Sequence, residues 1–210
     1  MYKLSNFKQD TIFTYYLTDC KKIIKHKVLT PDEVNTGSSN INTGHITIWR
    51  WEEVYKTTLH ELIHRMNIDG FHENMLQVYK NRYGIISKNI TINESITDFW
   101  AILINVYLIS KLLDESYKYF VMLINIEKIY IIHQAQKILS LNKDWNRYTN
   151  VLSYYVIKAE LYQNIPLTLK AMNYKINDYS NVKNILMKAK PIIPKYVNDI
   201  SLKMSIINIQ

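Results

Sequence analysis

The sequence predicts an α+β fold that is mostly helical, with a small sheet portion near the N-terminus and a helical C-terminal part. All four glycines lie between Gly37 and Gly84, so positive-φ turns are concentrated in the first half of the chain. Residues 45–49 alternate with a period of two, which is typical of a strand. The glycine-free stretch after residue 84 indicates helices in series.

The chain has 210 residues, enough for one domain with a substantial core. With 48% hydrophobic and 21% charged residues, its composition is typical of a packed globule rather than of a disordered chain. We therefore expect a single domain over 1–210, with a strand and loop portion at 1–50 and a helical portion at 51–210.

The N-terminal elements are predicted in this order: a helix with Thr30 as cap and Pro31 as first residue, a polar loop at 35–43, a strand at 45–49 and a helix at 51–67. Glu52 and Glu53 are expected in the first turn of the 51–67 helix, where the helix dipole favours negative charge. Asp69-Gly70 is expected to follow its end.

The C-terminal part is predicted as a series of helices. A short helix or irregular stretch is expected at 73–83, followed by helices at 93–113, 116–141, 148–164 and 178–189. The run from Phe99 to Tyr107 fits a helix buried nearly all round, in which Asn105 would need a hydrogen-bond partner.

The charge, the single cysteine and the N-terminus bear on location and partners. The net charge of +8 is spread over scattered lysines without a recognition motif, so nucleic-acid binding is not expected. Cys20 stands alone, which excludes an intrachain disulfide and a Cys-based zinc site. Residues 1–10 lack the apolar core of a secretory signal, and the apolar run 99–109 is too short to span a bilayer. These features predict an intracellular, cytoplasmic protein without a membrane span.

The pentapeptide His60-Glu61-Leu62-Ile63-His64 is an H-E-x-x-H zinc motif. On a helix, His60 and His64 share one face, so both imidazoles can bind one ion. Glu61 is turned by about 100° from His60, which places its carboxylate beside the ion, where it can take a proton from metal-bound water. The alternative for Glu61 is an exposed ion pair with Arg65.

Two histidines leave zinc one protein ligand short. Glu94 can supply it if the 93–113 helix packs antiparallel to the 51–67 helix, and Asp98, one turn later, can then accept the N–H of a ligating imidazole. Two alternatives stay open. Glu94 could instead close a capping box with Thr91. His72 could be the third ligand, although it comes two residues later than the metzincin spacing requires.

His60-Glu61-x-x-His64 with Asn93-Glu94-x-x-x-Asp98 resembles the gluzincin metallopeptidases of the thermolysin type. The resemblance covers about fifty residues, and its two segments are farther apart in this sequence than in thermolysin. It implies a zincin-like catalytic domain, a Zn²⁺ cofactor held by His60, His64 and Glu94, and a peptide or protein substrate. The run from Gly44 through 49–53 into the motif is also similar to uncharacterised peptidases of large DNA viruses, which would place the protein in a host cell.

The same resemblance implies a Tyr or His that donates to the oxyanion formed at the attacked carbonyl. Tyr154, Tyr155 and His133 are the candidates, and packing in the core is the alternative for each. Zincins also place a substrate-binding edge strand just before the active-site helix, where residues 45–49 lie; the alternative is an ordinary sheet strand.

The predicted function is zinc-dependent hydrolysis of peptide bonds, with Glu61 as the general base. The alternative is a catalytically inactive zinc-binding scaffold or interaction protein, which would keep the same ligands without turnover.

Overall fold

The computed structural model describes residues 10–26, 28–70, 73–85, 90, 92–113, 116–141 and 148–208. The fold is α+β and predominantly helical, with a three-stranded sheet in the N-terminal part. Its elements in chain order are β1 (Ile12–Thr18), α1 (Pro31–Val34), β2 (Gly37–Ser39), β3 (His45–Arg50), α2 (Val54–Arg65), α3 (Leu76–Tyr83), α4 (Asn93–Leu113), α5 (Tyr117–Leu139), a π-helical segment (Leu152–Ile157), α6 (Lys158–Gln163), α7 (Ile165–Ala171) and α8 (Val182–Lys188).

The sheet has the order β1-β3-β2, with β1 parallel and β2 antiparallel to β3. The strand predicted at 45–49 is confirmed as β3. Because β3 is the central strand, the substrate-binding edge strand was the wrong alternative and the ordinary sheet strand the right one. The two edge strands are β1 and β2. Strand β2 lies within the predicted polar loop, where pairing with β3 forms a strand from Gly-Ser-Ser, a sequence with little β-propensity of its own.

Close packing explains the glycine that begins β2. A Cβ atom on Gly37 would lie 2.6 Å from Cδ1 of Ile48 and 2.9 Å from Cγ2 of Thr57. A larger residue would force β2 away from both β3 and α2. The edge strand is thus held tightly beside the helix that carries the zinc motif.

Helix α2 begins at Val54, so the prediction that Glu52 and Glu53 lie in its first turn was wrong. Glu53 precedes the helix with a left-handed φ of 63°. Its carboxylate lies 2.9 Å from Nζ of Lys22 in the interior, and Oε1 of Glu52 accepts the Lys22 backbone N–H. These buried contacts outweigh the weak preference of an acidic residue for the helix dipole, which is worth about 0.3–1 kcal/mol.

Helix α4 is the core helix of the helical part. It packs against α2, α5, α6 and the π-helical segment. The helix is long enough to cross a membrane, and an 18-residue window of it has a mean hydropathy of 1.5, which would suffice for a span. However, 61% of that window is buried inside the protein. Asn105 has the partner it needs, because its Nδ2 donates to the carbonyl of Ile207. Tyr107, expected to be buried, is 48% exposed.

The other predicted helices differ mainly in their bounds and type. The helix at 116–141 is confirmed as α5, and α3 and α8 lie within their predicted segments. The segment expected as one helix at 148–164 is π-helical at 152–157 and α-helical only from 158. Helix α7 was not predicted; Asn164 caps it by accepting the backbone N–H of Leu167.

The C-terminal segment 201–207 returns to the sheet portion. Ser201 forms an isolated bridge with Ile23, and the backbone N–H of Leu202 donates to the Lys22 carbonyl. Oε1 of Glu53 accepts the backbone N–H groups of Met204 and Ser205. The C-terminal segment is thereby joined to residues 22–23 and to Glu53, next to α2.

Candidate metal centre

Helices α2 and α4 bring three candidate ligands together. His60 and His64 lie one turn apart on α2, and Glu94 is in the first turn of α4. The Nε2 atoms of His60 and His64 are 3.0 Å apart. Oε2 of Glu94 lies 3.3 Å from Nε2 of His60 and 3.2 Å from Nε2 of His64. These residues form a group that could hold a metal ion, as their spacing in the sequence predicts.

The ligand spacing fits a small tetrahedral ion. Bonds of about 2.0–2.1 Å to nitrogen and oxygen at tetrahedral angles separate neighbouring ligand atoms by roughly 3.3 Å. The three observed separations are 3.0, 3.2 and 3.3 Å. A tetrahedral ion held by these three residues would keep its fourth position for water or substrate, the pattern of catalytic rather than structural zinc sites.

Each imidazole is oriented by its own carboxylate. Nδ1 of His60 lies 3.2 Å from Oδ1 of Asp98, the contact proposed from the sequence. Nδ1 of His64 lies 2.6 Å from Oδ2 of Asp69. A proton held on Nδ1 by a carboxylate leaves the Nε2 lone pair free for a metal.

Sequence reasoning missed the role of Asp69, because Asp69-Gly70 was interpreted only as a helix stop. The available signal was its position five residues after His64, where a chain that leaves the helix can fold back onto the imidazole. Asp69 is itself held by Thr97, whose Oγ1 lies 3.2 Å from Oδ2. Both α2 and α4 therefore contribute to the orientation of His64.

The protonation of these groups follows from their pairing. Burial lowers the pKa of His64, but its hydrogen bonds to Asp69 and Glu94 outweigh burial and raise that pKa to about 11. Burial raises the pKa of Glu94, and the two imidazoles more than reverse this, so the Glu94 pKa is below its usual value. Without a metal, the Glu94 carboxylate is ionised and its negative charge is balanced by a protonated imidazole. A bound cation would displace that proton and balance the carboxylate instead.

Asp98 has two further partners that were not predicted, both of them buried lysines. Nζ of Lys56 lies 2.9 Å from Oδ1, and Nζ of Lys158 lies 2.5 Å from Oδ2. Burial opposes ionisation of Asp98, but the two ammonium groups and His60 hold its pKa well below the usual value. Asp98 is therefore a fixed negative charge behind the metal centre.

A cleft of about 590 Å³ opens in front of the three ligands. Glu61 and Tyr154 line it together with the edge strand β2. The Tyr154 ring lies 6.1 Å from the His60 ring, between centroids. Burial first, and then the carboxylates of Glu94 and Glu61, hold the pKa of Tyr154 well above its usual value, so its hydroxyl is a proton donor.

Of the two tyrosines proposed as oxyanion donors, the structure brings Tyr154 to the cleft but not Tyr155. Tyr155 is buried in the core, and its hydroxyl donates to the carbonyl of Leu202 at 2.5 Å. The π-helical geometry of this segment places the neighbouring side chains in different surroundings. His133 is half-buried on α5 and does not line the cleft.

The remaining alternatives concern Arg65, His72 and Thr91. Arg65 and Glu61 are both buried, so the exposed ion pair given as the alternative for Glu61 was wrong. The Arg65 guanidinium donates to the carbonyls of Ile41 and Asp10. His72, the rival third ligand, and Thr91, the proposed capping-box partner, lie outside the described residues.

Comparison of the chain with protein-family models, curated proteins and solved structures finds no match. The resemblance to gluzincins consequently rests on the two sequence motifs.

Proposed function

We propose that this protein is a zinc-dependent metallopeptidase. The observation that carries the proposal is the triangle of His60, His64 and Glu94 ligand atoms, with edges of 3.0–3.3 Å, facing a cleft that Glu61 also lines. The carboxylates of Asp98 and Asp69 orient the two imidazoles so that Nε2 points to a common position. This combination supports a catalytic site more than a closed structural one.

When bound, zinc would lower the pKa of a coordinated water toward about 7 and polarise the carbonyl under attack. Glu61 would accept the proton from that water and later return it to the leaving amine. The Tyr154 hydroxyl would donate a hydrogen bond to the developing oxyanion. Asp98 and Asp69 would keep each imidazole in the tautomer that binds metal.

The edge strand β2 supports an extended peptide as the substrate. Residues 37–39 line the cleft, and within the described residues β2 pairs with β3 alone. The opposite edge could thus accept a peptide backbone by strand addition. Strand β2 would thus be the substrate-binding edge strand, a role that the sequence suggested for residues 45–49.

The decisive experiment combines a metal assay with a peptide-cleavage assay. Zinc per chain is measured by plasma mass spectrometry, and cleavage of a mixed-sequence peptide pool is followed by mass spectrometry. We expect one zinc per chain and cleavage that a chelator abolishes and added zinc restores. Cleavage that persists in the metal-free protein would contradict the proposal.

The variant Glu61→Gln separates an enzyme from a zinc-binding scaffold. In an enzyme, the variant retains zinc and loses cleavage, because the amide cannot accept the proton. Glu73→Gln is the matched control, since Glu73 is an exposed residue paired with Lys183. Equal and negligible cleavage by the wild type and both variants, with zinc bound, would favour the scaffold.

The intracellular location stays a prediction.

A further inference from the structure

A small recess opens from the cleft beside Glu61. Its volume is about 30 Å³, and it shares with the cleft the side chains of His60, Glu61 and Tyr154. A single water needs roughly 10–15 Å³, so the recess has room for two or three water-sized groups. That is the size of a carboxylate, and it is too small for an aromatic ring.

Two hydroxyls in the walls of this recess lack partners. Oγ1 of Thr36 and Oγ1 of Thr57 are buried without a hydrogen-bond partner among the described residues, and both side chains line the recess. Each threonine is only 4% exposed. A buried hydroxyl without a partner costs free energy, so a ligand that accepts hydrogen bonds here would be favoured.

Two buried ammonium groups complete the walls. Nζ of Lys22 donates to Oε2 of Glu53 at 2.9 Å, and Nζ of Lys56 donates to Oδ1 of Asp98 at 2.9 Å. Since an ammonium has three N–H donors, Lys22 can donate to a further acceptor. The recess is therefore rich in donors.

The charges around the recess favour an anion. Three lysine ammonium groups (Lys22, Lys56 and Lys158) face the two carboxylates of Glu53 and Asp98, which leaves a net charge of +1. Two other acidic groups lie nearby. Glu52 approaches Lys203, at 4.0 Å, and burial raises the pKa of Glu127 to about 7, so that this carboxyl is mostly neutral below that pH. Glu61, with Glu94, would be balanced by a divalent cation at the metal centre. Burial lowers the pKa of Lys22 to about 8, and a bound carboxylate would stabilise its charged form.

We propose that this recess is a side-chain subsite that binds the carboxylate of an aspartate next to the scissile bond of the substrate. The proposal rests on the proposed peptidase function. The acceptor oxygens would bind Lys22 and the hydroxyls of Thr36 and Thr57. The size of the recess favours aspartate over residues with longer side chains, and the donors favour aspartate over leucine.

The test measures binding of peptides that differ at one position, which is Asp, Asn or Leu. Zinc-loaded Glu61→Gln is used so that no peptide is consumed. The other positions of the test peptides are taken from a peptide that the wild type cleaves in the pool. If nothing is cleaved, they are taken from a peptide found by a binding selection. We expect the Asp peptide to bind at least tenfold more tightly than the Asn peptide, because hydrogen bonds to charged groups are the stronger ones. Equal affinity for all three peptides, or no measurable binding, would overturn the proposal.

Two variants made in the same Glu61→Gln background locate the effect. Thr57→Val removes a hydroxyl at nearly constant volume and should reduce the preference for Asp several-fold. Lys22→Met should abolish it, and circular dichroism checks that this variant is folded. Thr58→Val is the matched control, because its hydroxyl lies 3.3 Å from that of Tyr15 and outside the recess. The assignment of the recess as the aspartate subsite would be overturned if Thr57→Val keeps the wild-type preference for the Asp peptide while Lys22→Met keeps it too or binds too weakly to be measured.

The two proposals fail in different ways. Cleavage of the pool without enrichment of aspartate beside the cut would overturn the subsite and leave the peptidase standing. An absence of cleavage by the zinc-loaded wild type, with the Asp peptide still preferred in binding, would overturn the peptidase and support the recess as an acidic-group site.

Discussion

Nδ1 of His64 lies 2.6 Å from Oδ2 of Asp69, at the point where the chain leaves α2. The same oxygen accepts the Thr97 hydroxyl of α4 at 3.2 Å. The carboxylate thus links the helix that carries the histidines to the helix that carries Glu94. Burial opposes ionisation of Asp69, but its contacts with His64 outweigh burial and lower its pKa, so it is ionised when it holds the imidazole.

Removing this charge should weaken metal binding. Asp69→Asn is expected to lower zinc affinity by roughly 10–100-fold, the usual effect of losing a carboxylate that orients a ligating histidine. Competition with a chromogenic chelator measures the affinity. Asp32→Asn is the control, since Asp32 is an exposed residue of α1 and should leave the affinity unchanged. Equal affinities for Asp69→Asn and wild type would show that Asp69 does not orient His64.

Loss of the third ligand should be more severe. Glu94→Gln conserves volume but replaces an anionic ligand with a neutral amide, so zinc should bind more weakly than in Asp69→Asn. The same chelator competition gives the order of the two variants, with Glu73→Gln as control. Wild-type affinity in Glu94→Gln would remove Glu94 from the ligand set.

The two tyrosines provide a matched pair. Tyr154→Phe should lower kcat by roughly a hundredfold, because an oxyanion donor is lost, while KM and zinc content change little. Tyr155→Phe should retain kcat and lose about 1 kcal/mol of unfolding free energy, because its hydrogen bond to Leu202 disappears. Steady-state kinetics and urea titration separate the two effects. Similar kcat values for both variants would contradict the role of Tyr154.

The stability should depend on pH through Glu127. Its Oε1 accepts hydrogen bonds from Ser205 and from the backbone N–H groups of Ile206 and Ile207, while Oε2 has no partner among the described residues. Burial raises the pKa of Glu127 to about 7. Because the folded state binds this proton more tightly than the unfolded state, the stabilisation is complete below about pH 4.5 and is lost as the pH rises through about 7.

Glu127→Gln should remove this dependence. The difference in unfolding free energy between wild type and variant should change by up to about 3 kcal/mol between pH 5 and pH 8, with the wild type losing stability as the pH rises. Urea titrations at several pH values measure it, and Glu73→Gln controls for an exposed carboxylate. Parallel pH profiles for wild type and Glu127→Gln would show that this carboxylate does not titrate between those values.

The long amphipathic and apolar elements were predictable from the sequence because their patterns are local. Helices α4 and α5 and strand β3 lie where the periodicity placed them. Strand β2 could not be predicted in this way, since Gly37-Ser38-Ser39 becomes a strand only through its pairing with β3. The π-helical geometry at 152–157 was equally invisible, because the same residues also fit an α-helix.

By itself, the sequence determined the His60–His64 pair, since two residues four apart on a helix must share a face. It also determined that Glu94 and Asp98 share a face of their helix, for the same reason. Only the tertiary structure decided that Asp69 holds His64, that Lys56 and Lys158 form ion pairs with Asp98, and that Tyr154 rather than Tyr155 reaches the cleft. These contacts join residues from separate elements, and their distances depend on how the helices pack rather than on any spacing along the chain.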